Sequence, residues 1–239
     1  MLREQAVGES DRLITVLTRS DGVLRAFARG AHQLKNKSAS ATQTLTYSDF
    51  AIFRGRDANT VDSADTRKVF FGLRQDLNKL TLAQYFCELA MTVGPEGDSG
   101  EDMLRLMLNG LHFLEAGTRP GRIIKAAVEM RMMALAGYMP DLVACRECRQ
   151  YERPAMFFSV TGGTLVCGDC KRATESAAPV SPGVLAALRH TIYAPFPRLF
   201  SFELSDDGAR ALERLSESYV TAQLGRGFKT LDFYHRMAD

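Results

Sequence analysis

Two Cys-x-x-Cys pairs, Cys145-Arg-Glu-Cys148 and Cys167-Gly-Asp-Cys170, stand on either side of residues 149–166. No other feature limits the folding of this chain as tightly. Each tetrapeptide turn puts two sulfurs on one edge. Two such turns brought together make the donor set of a tetrahedral zinc site. The short apolar runs Ala155-Met-Phe-Phe158 and Thr164-Leu-Val166 supply strands to join them. Four sulfur ligands leave no open position for water. Cys145, Cys148, Cys167 and Cys170 are therefore read as ligands of a structural Zn²⁺, not a catalytic one. Rubredoxin-like iron and a pair of redox disulfides are the other states this spacing admits. Arg146, Arg149, Lys171 and Arg172 flank the ligands and offset part of the negative charge of a zinc tetrathiolate. The fifth cysteine, Cys87, lies on the apolar face of a helical segment and is expected to be a buried, inert thiol. An odd cysteine count and a charged start without an apolar leader speak against a disulfide framework and for the cytoplasm.

The residues before and after this module follow different periods. The first 70 or so read as β structure. Leu13–Thr18 is a β-branched run, Asp21-Gly22 a turn, and Val23–Arg29 a loosely alternating strand. Gly30–Thr44 is an aperiodic loop. Leu45–Phe53 and Thr60–Ala64 form a second hairpin about the turn Arg54–Asn59. Several short strands joined by hairpins suggest a small barrel. From about Phe71 the spacing becomes helical. Leu82, Tyr85, Phe86 and Leu89 share a face, with Leu77 on a second set. Ser99-Gly-Glu-Asp102 reads as a capping box for the next helix. A third helix is expected over Pro120–Gly137, with Ile124, Val128, Met132 and Leu135 inward. Ser181-Pro182 restarts a helix. Another covers about 207–224, with Leu212, Leu215, Tyr219 and Ala222 inward. The expected fold is α+β: a β-barrel domain over 1–72, then a helical domain over 73–239 carrying a zinc-binding insertion at 142–178.

Several chemistries lack their residues. Gly97-Asp-Ser-Gly100 matches the tetrapeptide around a serine-protease nucleophile, but it joins two helices. The four histidines are scattered and fit no metalloprotease or deaminase pattern. There is no phosphate-binding G-x-x-x-x-G-K-[ST] loop. No catalytic residues are expected, and a zinc hydrolase is unsupported. Charge is more informative. The chain has a formal net charge of only +2, yet residues 19–56 hold seven cations against two acids. Such a local surplus is a candidate anion-binding face. Arg25 and Arg29 are expected on one face of a strand, Lys35 and Lys37 on the loop after it, and Arg54 and Arg56 at a hairpin tip. Phe27 is expected in the core. Phe53 and Tyr47 remain as possible base stackers.

The segments Gly8–Thr18, Gly22–Ala31, Arg54-Gly-Arg56, Leu73–Leu77, Leu135-Ala-Gly-Tyr-Met-Pro140, the four cysteines and Phe228–Phe233, in this order, resemble the RecO family of bacterial recombination mediators. The resemblance spans nearly the whole chain. It implies an OB-fold followed by a helical domain with a zinc-binding insertion. It also implies a role in DNA repair by the RecF pathway: binding single- and double-stranded DNA, annealing complementary strands, and helping RecR load RecA onto DNA coated by single-strand-binding protein. That protein's C-terminal tail would dock on the helical domain. The implied place of work is the cytoplasm, at the nucleoid. Relatives start several residues earlier, so the first strand is expected to be clipped here, weakening DNA binding. The competing reading is a zinc-ribbon and OB interaction scaffold without direct contact to DNA.

Overall fold

A computed structural model describes residues 1–31, 38–174 and 176–238. Its strands are β1 (Arg3–Val7), β2 (Asp11–Thr18), β3 (Gly22–Ala28), β4 (Thr46–Arg54), β5 (Asn59–Val69), β6 (Asp141–Cys145), β7 (Met156–Ser159), β8 (Thr164–Cys167) and β9 (Ala178–Val180). Its helices are α1 (Ser38–Ala41), α2 (Leu77–Val93), α3 (Glu101–Ala116), α4 (Gly121–Leu135), α5 (Pro182–Tyr193), α6 (Asp206–Leu224) and α7 (Lys229–Ala238). The chain is thus mixed α+β. It divides into two units: Met1–Ala116 with Phe228–Asp239, and Gly117–Gly227. The first unit contains helices expected to belong with the second part of the chain, so contact does not follow the change from β to α periodicity.

In the first unit, alternation sorts side chains to the two faces of a five-stranded sheet ordered β1-β2-β3-β5-β4. Even-numbered Ile14, Val16, Ala26 and Ala28 are buried, with Leu24, Phe50, Ile52 and Val61 packed against them. Neighbouring strands are antiparallel except β3 and β5, which meet in parallel at Phe27 and Thr60. The strand ladder does not continue from β4 to β1. The Leu45 amide donates to the Met1 carbonyl (3.1 Å), the Met1 amine to the Thr46 carbonyl (2.8 Å) and the Thr44 amide to the Glu4 carboxylate (3.2 Å), which links those edges without a ladder. The described residues therefore form a five-stranded sheet and not a closed barrel. All five residues of β1 pair with β2, from Val7 against Asp11 to Arg3 against Thr15, while Val16, Leu17 and Thr18 of β2 have no partner in β1. Phe27 is not where it was expected. Residues two apart share a face, so Phe27 goes with Arg25, while the core takes Leu24, Ala26 and Ala28.

The β2–β3 turn fits closely against the segment after α2. The Val23 amide donates to the Pro95 carbonyl at 2.7 Å, and a Cβ on Gly22 would lie 1.9 Å from that same oxygen. Gly22 also has φ of 64°, so glycine is required there twice over. Gly100 is comparably tight, 2.5 Å from the Thr18 carbonyl oxygen if a Cβ is added. This packing accounts for the Gly-Asp-Ser-Gly tetrapeptide. The capping box is incomplete: the Glu101 amide reaches Ser99 Oγ only at 3.5 Å, that hydroxyl donates to the Arg19 carbonyl, and Asp102 makes no return bond among the described residues. The cap on α2 is Asp76, whose carboxylate accepts from the Lys79 amide at 3.1 Å. Leu77 is exposed. The sequence reading missed α7. It packs on α2 through Phe228, edge-on to Tyr85 with ring centroids 5.5 Å apart. Glu88 holds its first turn, accepting from the Thr230 amide (3.2 Å) and hydroxyl (2.6 Å).

In the second unit, α4 is buried from Ile123 through Met133, three charged residues included. Lys125 Nζ lies 2.8 Å from Glu129 and 3.0 Å from Glu217 on α6, and Ser216 donates to Glu129 at 2.5 Å. Burial disfavours the ammonium form of Lys125. The two carboxylates outweigh it, so its pKa ends above the ordinary lysine value. Arg131 donates to the carbonyls of Thr191 (2.8 Å) and Ala194 (2.6 Å), closing the end of α5. Leu135 and Ala222, expected inward, are exposed; Val220 fills the α6 core instead. Ser181 and Ser205 cap α5 and α6, and Gly225 ends α6 in the left-handed region.

Candidate metal centre and nucleic-acid face

A second sheet, ordered β6-β8-β7-β9, places the two cysteine turns. Cys145 ends β6 and Cys167 ends β8, and these strands run parallel with Cys145 beside Leu165. Both turns therefore emerge from the same end of the sheet. Arg149 takes φ of 61°, rare for a residue with a side chain, and its amide returns to the Cys145 carbonyl at 2.9 Å. The Cys170 and Lys171 amides return likewise to the Cys167 carbonyl. The four sulfurs lie within 4.8 Å of one another. Cys148 Sγ and Cys167 Sγ are 3.8 Å apart, which is about the edge of a tetrahedron with ~2.3 Å zinc–sulfur arms. Sulfur spacing and donor chemistry both fit the predicted ion.

The knuckle also prepares its sulfurs electrostatically. Burial opposes ionisation of Cys145, but backbone N–H groups at Cys148, Cys167 and Glu147 overcome it and hold the thiol at about 6. Cys170 is pushed up to about 12, chiefly by hydrogen bonds with Cys167 and Cys148. Cys145 and Cys167 are buried, whereas Cys148 is exposed. Among the cations beside the ligands, Arg153 pairs with Asp169, and Lys171 Nζ sits 5.3 Å from the centroid of Phe157. Away from this cluster, Cys87 is the buried thiol expected, pushed up to about 12 by burial.

The six cations expected to bind nucleic acid fall into three groups. Arg25 on β3 is exposed and makes no ion pair among the described residues; Arg29 directly follows the same strand and is exposed. Arg54, at the β4–β5 tip, is tied to Asp21 in the β2–β3 turn, while Arg56 beyond it is exposed. Lys35 and Lys37 lie outside the described residues. Sequence reading missed Arg3. It pairs with Thr15, which pairs with Arg25, so Arg3, Thr15 and Arg25 form one row across β1, β2 and β3. Only strand register reveals this, because the two arginines belong to different segments. The face borders a cleft of about 1380 Å³ whose lining includes Leu13, Thr15, Arg25, Phe27, Arg54 and Asn59. Arg12 is not available there. It pairs with Glu4 at 3.2 Å and donates to Ala39 and Thr42.

Comparison with known proteins agrees with the two halves of this description. Residues 1–70 match the family described as Recombination protein O N terminal, and residues 74–232 match Recombination protein O C terminal. Two similar proteins are both named DNA repair protein RecO. That of Acetivibrio thermocellus is 31% identical over 233 residues, covering 98% of this chain and 93% of the relative. That of Pelotomaculum thermopropionicum is 29% identical over 236 residues, covering 99% and 91%. With both family halves matched in order across a sheet module, a helical module and a four-cysteine cluster, the chain belongs to the RecO family of DNA repair proteins.

Proposed function

We propose that the protein is a DNA-binding recombination mediator of the RecF pathway. It holds DNA on the outward face of β1, β2 and β3 and carries out no covalent chemistry of its own. The row Arg3–Thr15–Arg25 carries this reading, with Arg29 and Arg56 beside it. Five strands in the order β1-β2-β3-β5-β4 suit a partly open barrel of OB type, in which the strand 2–3 face and the 4–5 loop receive oligonucleotides. Arg54 and Arg56 belong to that loop. Cations spread along a sheet face contact phosphates and leave base edges free. Binding is then sequence-tolerant and salt-sensitive. Two strands with neutralised phosphates repel each other less, which promotes annealing. The relatives' shared name, DNA repair protein RecO, supports a role in DNA repair, and the family resemblance of the sequence extends the reading to loading of RecA together with RecR onto DNA coated by single-strand-binding protein. The C-terminal tail of that coating protein would dock on the helical part. The four cysteines hold a structural zinc ion that braces the β6–β9 sheet. The protein works in the cytoplasm, at the nucleoid; among the described residues no helix is long and apolar enough to cross a membrane.

A mobility-shift titration of the full chain against single- and double-stranded DNA over a range of salt tests this reading. About five phosphate contacts give a slope of roughly −3.5 for log affinity against log salt on single strands. The double charge reversal Arg25→Glu with Arg29→Glu is expected to weaken binding and flatten that slope, and annealing should fall with salt in parallel. An unchanged slope removes the arginines from the interface. Failure of the unaltered chain to bind DNA favours the protein-interaction scaffold.

A further inference from the structure

Strand register assembles a second row from all five strands of the N-terminal sheet. Gln5 pairs with Leu13, Leu13 with Phe27, Phe27 with Thr60, and Thr60 with Phe53. Directly paired residues project from the same face of a sheet. The row faces outward, because Ile14, Ala26, Val61 and Ile52, the neighbours along each strand, pack in the core. It runs beside the row that carries Arg3 and Arg25, two residues away along the same strands. At one end Phe53 is 68% exposed; Phe27 is half-buried, and the small Thr60 stands between them. Neighbouring strands lie about 4.8 Å apart, so the two phenylalanine backbones are roughly 10 Å apart with an open step between. An exposed ring on an outward strand contributes little to folding, yet its face is free for another planar group.

We propose that Phe53, with Phe27 beside it, is a stacking platform for unpaired bases, and that the adjacent Arg3 and Arg25 hold the phosphates of the same strand. The occupant is single-stranded nucleic acid, selected by charge on one row and by π-surface on the next. In a duplex both faces of each base are covered by its neighbours, so only the phosphate row can engage. In a single strand a base can swing out onto the ring. The sheet therefore binds both forms through charge and favours the single strand through Phe53. Stacking of this kind tolerates any base, because every base has a π-face. This inference rests on the nucleic-acid reading above and adds the substrate form that the face selects.

The sequence contains no tryptophan, so Phe53→Trp in the full chain gives a single reporter at the platform. Its emission is expected to be quenched as oligothymidine is added. In parallel, Phe53→Ala should weaken binding of a labelled oligothymidine by about tenfold, while leaving duplex affinity and the salt slope as they were. Two outcomes overturn the platform and leave the phosphate reading standing: Phe53→Ala binding the single strand as tightly as the unaltered chain, or unmoved tryptophan emission while anisotropy of the labelled strand reports binding. Absence of DNA binding by the unaltered chain overturns both.

Discussion

At the scale of single residues, charge has two fates in this protein, and they require different tests. Arg3 and Arg25 are exposed on a sheet face, where the proposed function gives them a partner to meet. Lys125 and Glu129 are fully buried, where their effect is on folding. Removing one member of a buried pair leaves an uncompensated charge. Lys125→Met is therefore expected to lower unfolding free energy by about 3–5 kcal/mol, whereas adding Glu129→Leu should restore most of it. Urea denaturation of the two variants checks this; equal stabilities would show that the pair is not coupled. The pH dependence follows from the raised pKa of Lys125. Its contribution is complete below the ordinary lysine pKa and is lost as pH climbs through the higher folded value. The sequence alone suggested the exposed fate for Arg25 but not the buried one. A lysine and a glutamate one turn apart read as an exposed pair, and only the packing of α6 over them makes them interior.

At the scale of elements, the four-cysteine turns are built from the most local chemistry, and Arg189 of α5 and Gln223 of α6 tie their sheet to the helices. Four strands of three to five residues have little apolar area of their own, and the proposed structural zinc would add stability on the order of 10 kcal/mol, as in comparable zinc modules. Chelation is expected to open the segment 141–180 to proteolysis while DNA binding by the N-terminal face is retained. Protection of that segment after chelation would contradict a structural ion. Uptake of zinc should also release protons. Cys145 is ionised above about 6, but Cys170 holds its proton up to about 12, so ligation has to displace it, and apparent zinc affinity should rise with pH. A pH indicator in weak buffer reads the released protons. Spacing made this module legible, because the Cys-x-x-Cys turn is local chemistry. The β2–β3 face was legible only in part. Alternation put Arg25 and Arg29 on one face, but Phe27, which the same period places with them, was expected in the core, and no local signal indicated that Thr15 pairs with both Arg3 and Arg25.

At the scale of the whole molecule, chain order and spatial order separate. The last helix returns to the unit that holds the first strand: Phe228, Leu231 and Tyr234 are buried there, with Tyr85 of α2 against Phe228. Each such side chain is worth about 1.5–3 kcal/mol on burial. A chain ending at Gly227 is therefore expected to lose much of the stability of its N-terminal unit, seen as a lower Tm and weaker DNA binding, despite an intact sheet sequence. An unchanged Tm would show that α7 only rests on α2.

The sequence by itself determined the meeting of the two Cys-x-x-Cys turns, the alternation of the strands, most helix bounds and the cap at Ser181. Most of these depend on contacts within a few residues, where covalent geometry limits the choices. Only the tertiary structure decided that Arg3 joins Arg25 in one row, that Arg54 is tied to Asp21 while Arg25 is not, that α7 closes on α2, and that a lysine and a glutamate are interior. Each of those depends on register or on packing between distant segments, and a side chain's exposure is fixed by what the rest of the chain lays over it.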